Sequence, residues 1–141
     1  MANIEWYDSF SVGINLIDEQ HKELLGKINA LNEAVDKHQG IDKILNTLTF
    51  LYQYTDVHFS TEEKYMKELD YPGKKIHMEQ HIEFFEMIET MRKDFEEDGA
   101  TRALGESIST YLGNWLITHI KSIDFKFGEF LRETGHAGIN A

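Results

Sequence analysis

The stretch TDVHFSTEEKYM, residues 55 to 66, places His58 and Glu62 four positions apart in a run with helical period. Four positions on a helix turn through about 40°, so both side chains leave one face. HMEQH repeats the step with His77 and His81, the spacing by which one helix grips one metal ion. It is not the H-E-x-x-H of zinc proteases, because Met78 fills the second position and Glu79 points elsewhere. HIKSID sets His119 and Asp124 five positions apart, about 140° on an ideal helix, so that pair shares a face only where the helix is distorted. Glu63, turned about 100° from Glu62, is expected on a solvated face.

These residues need elements to hold them. Residues 1–17 lack helical period and form an N-terminal arm ending in GINLID, where Asp18 is suited to cap a following helix. Leu24, Leu25, Ile28, Leu31 and Val35 mark one face of a first helix, about 19–38, with Gly40 suited to the left-handed position that ends it. A second helix is expected at about 41–68. The turn LDYPGK separates it from a third at about 74–97, and EDGAT precedes a fourth at about 102–132. Long helices joined by short turns pack antiparallel with their neighbours. The expectation is an all-α, up-down-up-down four-helix bundle forming one domain over residues 1–141.

With depth counted in alternating directions, His21, His58, His77, His81 and His119 all fall toward the same end of such a bundle. His38 and His136 fall at a helix end and in the tail, and carry no such expectation. Five imidazoles with Glu62 and Asp124 exceed the four ligands of a tetrahedral zinc site. They suit two six-coordinate ions that share both carboxylates and one solvent-derived bridge, which leaves one coordination position open. Imidazole mixed with carboxylate favours iron or manganese. Protons compete for the same nitrogens, so metal affinity is expected to fall below about pH 6.

This constellation resembles the hemerythrin family, particularly its bacterial single-domain members. The resemblance rests on His21, the His58–Glu62 pair, the His77–His81 pair and the His119–Asp124 pair, together with the arm IEWYDSFSVGINLIDEQHKEL. The family's own pattern contains the same H-x-x-x-x-D step, which supports Asp124. The resemblance implies an oxo- or hydroxo-bridged non-haem di-iron centre that binds O2 reversibly. It implies that His77, His81 and His119 hold one iron, that His21 and His58 hold the other and its open position, and that Glu62 and Asp124 bridge the two. Reversible binding needs a dry pocket. Leu24, Phe59, Trp115, Leu116, Ile120 and Ile123 are its candidates, although each taken singly also suits ordinary core packing.

The expected function is therefore O2 carriage, storage or delivery rather than enzymatic turnover. Two alternatives stay open: an O2- or redox-sensing domain with a signalling partner, and a peroxidase-like or nitric-oxide-handling activity. A ferritin-like oxidase would need two Glu-x-x-His motifs. The residues three before the candidate histidines are Asp18, Thr55, Lys74, Met78 and Leu116, so none fits. A formal charge of −11 argues against nucleic acid or an anionic membrane as partner. The absence of cysteine removes disulfides and thiolate metal sites. No apolar run approaches the roughly 20 residues of a membrane span, and no signal peptide is evident, so the expected location is cytoplasmic.

Overall fold

The computed structural model describes residues 3–140; Met1, Ala2 and Ala141 of the expected domain lie outside them. Four long helices carry the chain: α1 (Asn15–Asp36), α2 (Ile41–Glu68), α3 (Lys74–Asp98) and α4, a continuous rod of Arg102–Ser107, Ile108–Gly113, Asn114–His119, Ile120–Asp124 and Phe125–Glu133. Among the described residues there is no strand. α1 packs on α2, α2 on α3, and α4 closes the bundle against α1 and α3. The expected antiparallel four-helix bundle with its N-terminal arm is what the chain forms. No helix is long and apolar enough to cross a membrane.

Apolar residues at helical spacing explain the core. Leu24, Ile28, Leu31, Ile44, Leu48, Leu51, Phe84, Ile88, Phe95, Leu112, Leu116 and Leu131 are all fully buried. Each such side chain contributes about 1.5–3 kcal/mol relative to exposure. The Thr101 side chain caps the start of α4, accepting from Leu104 N–H at 3.2 Å, whereas the C-terminal ends of α1, α2 and α4 follow from backbone hydrogen bonding. His38 and Asp70 adopt left-handed conformations at φ 51°, and Gly135 at φ 78°. In each case the residue's own N–H and the next one turn back onto the last carbonyls: His38 N–H to Val35 and Gln39 N–H to Ala34 close α1.

Two local expectations are corrected here. Asp18 does not cap α1, which starts at Asn15 behind an uncapped Ile14. Its carboxylate instead accepts from Ser11 Oγ–H at 2.5 Å and from Val12 N–H at 2.9 Å, tying the arm to the first turn. Gly40 does not terminate α1, because His38 already does so; Gly40, at φ 88°, leads into α2.

The arm is held along its length. Ile4 and the Asn29 side chain exchange two hydrogen bonds of 2.8 Å, while Val12 and Ile14 are fully buried. The arm crosses α4 at Gly128, where an added Cβ would lie 2.5 Å from the Val12 carbonyl oxygen. Backbone cannot yield as a flexible side chain can. Gly128→Ala is therefore expected to destabilise the fold by about 1–3 kcal/mol, read as a lower urea midpoint; an unchanged midpoint would mean the arm is not seated there.

Candidate metal centre

All five candidate histidines and both carboxylates point into one layer of the bundle, and none is more than 2% exposed. α1 supplies His21, α2 supplies His58 and Glu62, α3 supplies His77 and His81, and α4 supplies His119 and Asp124. Asp124 reaches the layer because Ile120–Asp124 is π-helical. A π-turn closes i to i+5, one residue more than an α-turn, so it brings residue i+5 round to the face of residue i. This is the distortion that the His119–Asp124 spacing requires.

The donor atoms fall into two overlapping groups. Glu62, His77, His81, His119 and Asp124 form one; His21, His58, Glu62 and Asp124 form the other. Both carboxylates belong to both groups. The Asp124 carboxylate divides its oxygens: Oδ1 lies 2.8 Å from His77 Nε2 and 3.2 Å from His119 Nε2, while Oδ2 lies 2.8 Å from His21 Nε2. Glu62 Oε1 lies 3.4 Å from His58 Nε2, 3.7 Å from His77 Nε2 and 3.3 Å from His81 Nε2.

These separations are short, yet none of the atoms is aligned for a hydrogen bond. All five Nε2 atoms and all four carboxylate oxygens are buried without a hydrogen-bond partner. Nine orphaned polar atoms in one layer would be an untenable desolvation cost for a core with no further occupant. Adjacent ligands of an octahedral ion bonded at about 2.1 Å sit about 3 Å apart, which is the spacing seen here. The donors therefore fit a pair of metal ions, with three imidazoles in one half and two in the other.

Contacts on the far sides of three of the rings fix their orientation, whereas His21 Nδ1 and His77 Nδ1 are buried without a hydrogen-bond partner. His58 Nδ1 lies 2.7 Å from Gln20 Oε1, His81 Nδ1 2.7 Å from Glu63 Oε2, and His119 Nδ1 2.7 Å from Gln80 Oε1. Each oxygen accepts a hydrogen bond from Nδ1–H, which turns the Nε2 lone pair toward the centre. These three residues were missed in the sequence. Each is adjacent to a ligand candidate, but Gln20 and Gln80 serve an imidazole on another helix, so local spacing gives no signal for them. Glu63 is a correction: its side chain is 24% exposed, turned inward to His81 rather than solvated. Replacing Glu63 with Gln should weaken metal binding by about 10–100-fold while leaving the fold intact; equal affinity in a competitive chelator titration would remove Glu63 from this role.

Burial and mutual charge set the protonation of the metal-free layer. Burial pushes His58 down to about 4, against the pull of Glu62. Burial also opposes the charged form of His77, but the close approach of Asp124 and Glu62 outweighs it and raises His77 to about 10. His81 is raised in the same way by Glu62 and Glu63. Burial and Asp124 push the Glu62 carboxyl up, yet His58, His77 and His81 prevail and hold it at about 2. Asp124 is held well below the usual carboxylate range, where His119 and His21 overcome burial. In the metal-free layer the charged forms of His77 and His81 are thus favoured by the neighbouring carboxylates, while that of His58 is disfavoured by burial.

Around the layer, Leu24, Leu116 and Ile120 are fully buried, Phe59 is nearly so, and Ile123 is half-buried. Phe59 stacks on His81 with centroids 3.7 Å apart and planes at 3°. Half-buried Trp115 stacks on His119 at 4.7 Å and 11°, which places it beside the three-imidazole half. Between α3 and α4 a cleft of about 860 Å³ runs in from solvent to Gln80, Trp115 and His119. His38 and His136 stay outside the layer; His136 Nδ1 pairs with Thr134 Oγ1 at 2.8 Å.

A family model for the hemerythrin HHE cation-binding domain matches residues 12–131. Bacteriohemerythrin of Pseudomonas aeruginosa is 29% identical over 136 residues, covering 95% of this chain and 85% of that protein. Hemerythrin of Themiste dyscrita is 30% identical over 122 residues, covering 86% of this chain and 88% of that one. A crystal structure of a hemerythrin variant with a leucine-to-tyrosine substitution superposes with a TM-score of 0.80 at 23% identity, covering 92% of this chain and 97% of the other, which speaks for the fold. With a family match spanning most of the sequence and a buried histidine–carboxylate layer able to hold metal, this chain belongs to the hemerythrin family.

Proposed function

We propose that this protein binds O2 reversibly at a pair of iron ions and serves to carry, store or deliver it. The observation that supports this most is the sharing of Glu62 and Asp124 by two donor groups of unequal size. In this reading His77, His81 and His119 hold one ion, His21 and His58 hold the other, and the two carboxylates join them. Ferrous iron so held would supply the electrons that let O2 bind and leave again. The half with two imidazoles has one donor fewer, so it carries the open position.

The chain's own residues keep that position dry. Leu24 follows His21 by one turn, and Leu116 and Ile120 lie on the turns around His119; all are fully buried. Water and protons drive bound O2 toward irreversible oxidation of the metal, so an apolar wall is what reversibility needs. Replacing Leu116 with Ser should shorten the lifetime of the oxygenated form several-fold, followed as decay of its visible band; an unaltered lifetime would take Leu116 out of the pocket.

Anaerobic reconstitution with ferrous iron, followed by repeated cycles of air and argon, tests the function. Two irons per chain and a visible band that rises in air and falls under argon are expected. A band that appears once and never reverses would overturn carriage.

A further inference from the structure

The five rings that face the metal layer are not equally supported from behind. His81 Nδ1–H donates to the Glu63 carboxylate at 2.7 Å. His58 and His119 donate, also at 2.7 Å, to Gln20 Oε1 and Gln80 Oε1, the oxygens of neutral amides. His21 Nδ1 and His77 Nδ1 are buried with no hydrogen-bond partner among the described residues. Glu62 and Asp124 belong to both donor groups, so their charge favours neither. Among these far-side partners Glu63 alone carries a full negative charge, and it stands behind the half formed by His77, His81 and His119.

That charge is well placed to act on a metal through the ring. A hydrogen bond to a carboxylate is stronger than one to an amide, and it makes the opposite ring nitrogen a better electron donor. The Glu63 side chain is 24% exposed, so solvent offsets the cost of holding its charge. The His81 side chain is 1% exposed, so little water screens the inner side. Phe59 stacks on His81 at 3.7 Å and 3°, which fixes the ring plane and keeps Nε2 aimed at the layer. A richer donor and a nearer negative charge both favour the higher oxidation state of the ion they face.

We propose that Glu63 is a positioning residue that sets the order of electron loss in the metal pair. Through His81 it makes the His77, His81 and His119 half the first to be oxidised, and it leaves the His21 and His58 half ferrous. This rests on the iron-pair reading above. The half with the open position then keeps its electron in the half-oxidised protein. At an effective dielectric constant near 20, a unit charge closer to one ion than to its neighbour biases the first oxidation between them by about tenfold. The step is one outer-sphere electron transfer. An oxidant of the ferricyanide class takes one electron from the pair and becomes ferrocyanide, and one ferrous ion becomes ferric. No bond forms or breaks, and the His81 Nδ1 proton stays between that nitrogen and Glu63.

Anaerobic redox titration of the iron-counted protein, with magnetic resonance of the half-oxidised form, tests this by moving the charge between rings. Glu63→Gln should raise the potential of the first oxidation by about 60 mV, the one-electron equivalent of tenfold. In the parent the ferric ion carries most of the unpaired spin, so nuclear double-resonance spectra should show strong coupling to three imidazole nitrogens. Adding Gln80→Glu to Glu63→Gln returns a carboxylate to the same half, and should restore both the low potential and that pattern. Adding Gln20→Glu to Glu63→Gln puts the carboxylate behind His58 instead. It should restore the low potential yet shift the strong coupling to the two nitrogens of His21 and His58. A merely structural role for Glu63 would not make the pattern follow the charge. Equal potentials in Glu63→Gln and the parent, or strong coupling that stays with three nitrogens when the charge is behind His58, would overturn the proposal. An iron count below two in the parent would instead contradict the metal-pair reading.

Discussion

Glu62→Ala should bind no more than one iron per chain, whereas Glu63→Gln should still bind two. Two divalent ions about 3.5–4 Å apart repel by roughly 20 kcal/mol even at an effective dielectric constant near 20. Only negative charge placed between them offsets this. Glu62 lies within 3.4 Å of His58 in one group and 3.3 Å of His81 in the other, so its carboxylate belongs to both halves. Alanine removes that charge from both, and Asp124 alone cannot compensate. Glu63 bonds only the far side of His81, so its loss weakens one half without separating the pair. Metal analysis after gel filtration reads the difference. Full occupancy in Glu62→Ala would end the bridging assignment.

Removing the metal should both destabilise the protein and give it a pH optimum near 6.5. In the metal-free layer His77 is raised from 6.5 to about 10, so its contribution is complete below pH 6.5 and is lost as pH rises toward 10. His81, raised by the same carboxylates, adds to that alkaline loss. His58 is lowered from 6.5 to about 4 and stays neutral when folded. Its contribution is present above pH 6.5 and is lost as pH falls toward 4. Glu62, lowered from 4.5 to about 2, adds a further loss below pH 4.5. Each limb amounts to a few kcal/mol. Iron binding replaces the protons on the imidazoles, so the loaded protein should lose the alkaline limb and keep a steeper acid one. Urea unfolding from pH 4 to 10 on both forms measures this. A metal-free protein equally stable at pH 6.5 and 10 would contradict the arrangement of charges.

The bundle was legible because helical period, a single proline turn and three short connections leave few ways to fold. The depth argument for the histidines followed from that topology: alternate helix directions bring His21, His58, His77, His81 and His119 to one end. Asp124 was legible only through its family resemblance, because ideal helical geometry points it away from His119. The π-helical turn at Ile120–Asp124 resolves that conflict, and tertiary demands rather than local propensity select it.

What stayed hidden were contacts between helices. Gln20 orients His58 across 38 positions of sequence and Gln80 orients His119 across 39, and no local spacing encodes such partnerships. Glu63 was read as solvated from its angle on α2 alone, which ignores that α3 brings His81 to meet it. Asp18 was read as a cap for a similar reason: the arm, folding back over α1, uses its carboxylate instead. Trp115, a candidate for the O2 pocket, stacks on His119 and lines the α3–α4 cleft, a contact between side chains that sequence spacing alone does not specify.

Crystals of the iron-loaded protein, measured on both sides of the iron absorption edge, test the central claim most directly. The account predicts two anomalous peaks per chain about 3.5–4 Å apart, one among His77, His81 and His119, the other beside His21 and His58, with Glu62 and Asp124 touching both. A single peak, or two peaks that share neither carboxylate, would contradict it.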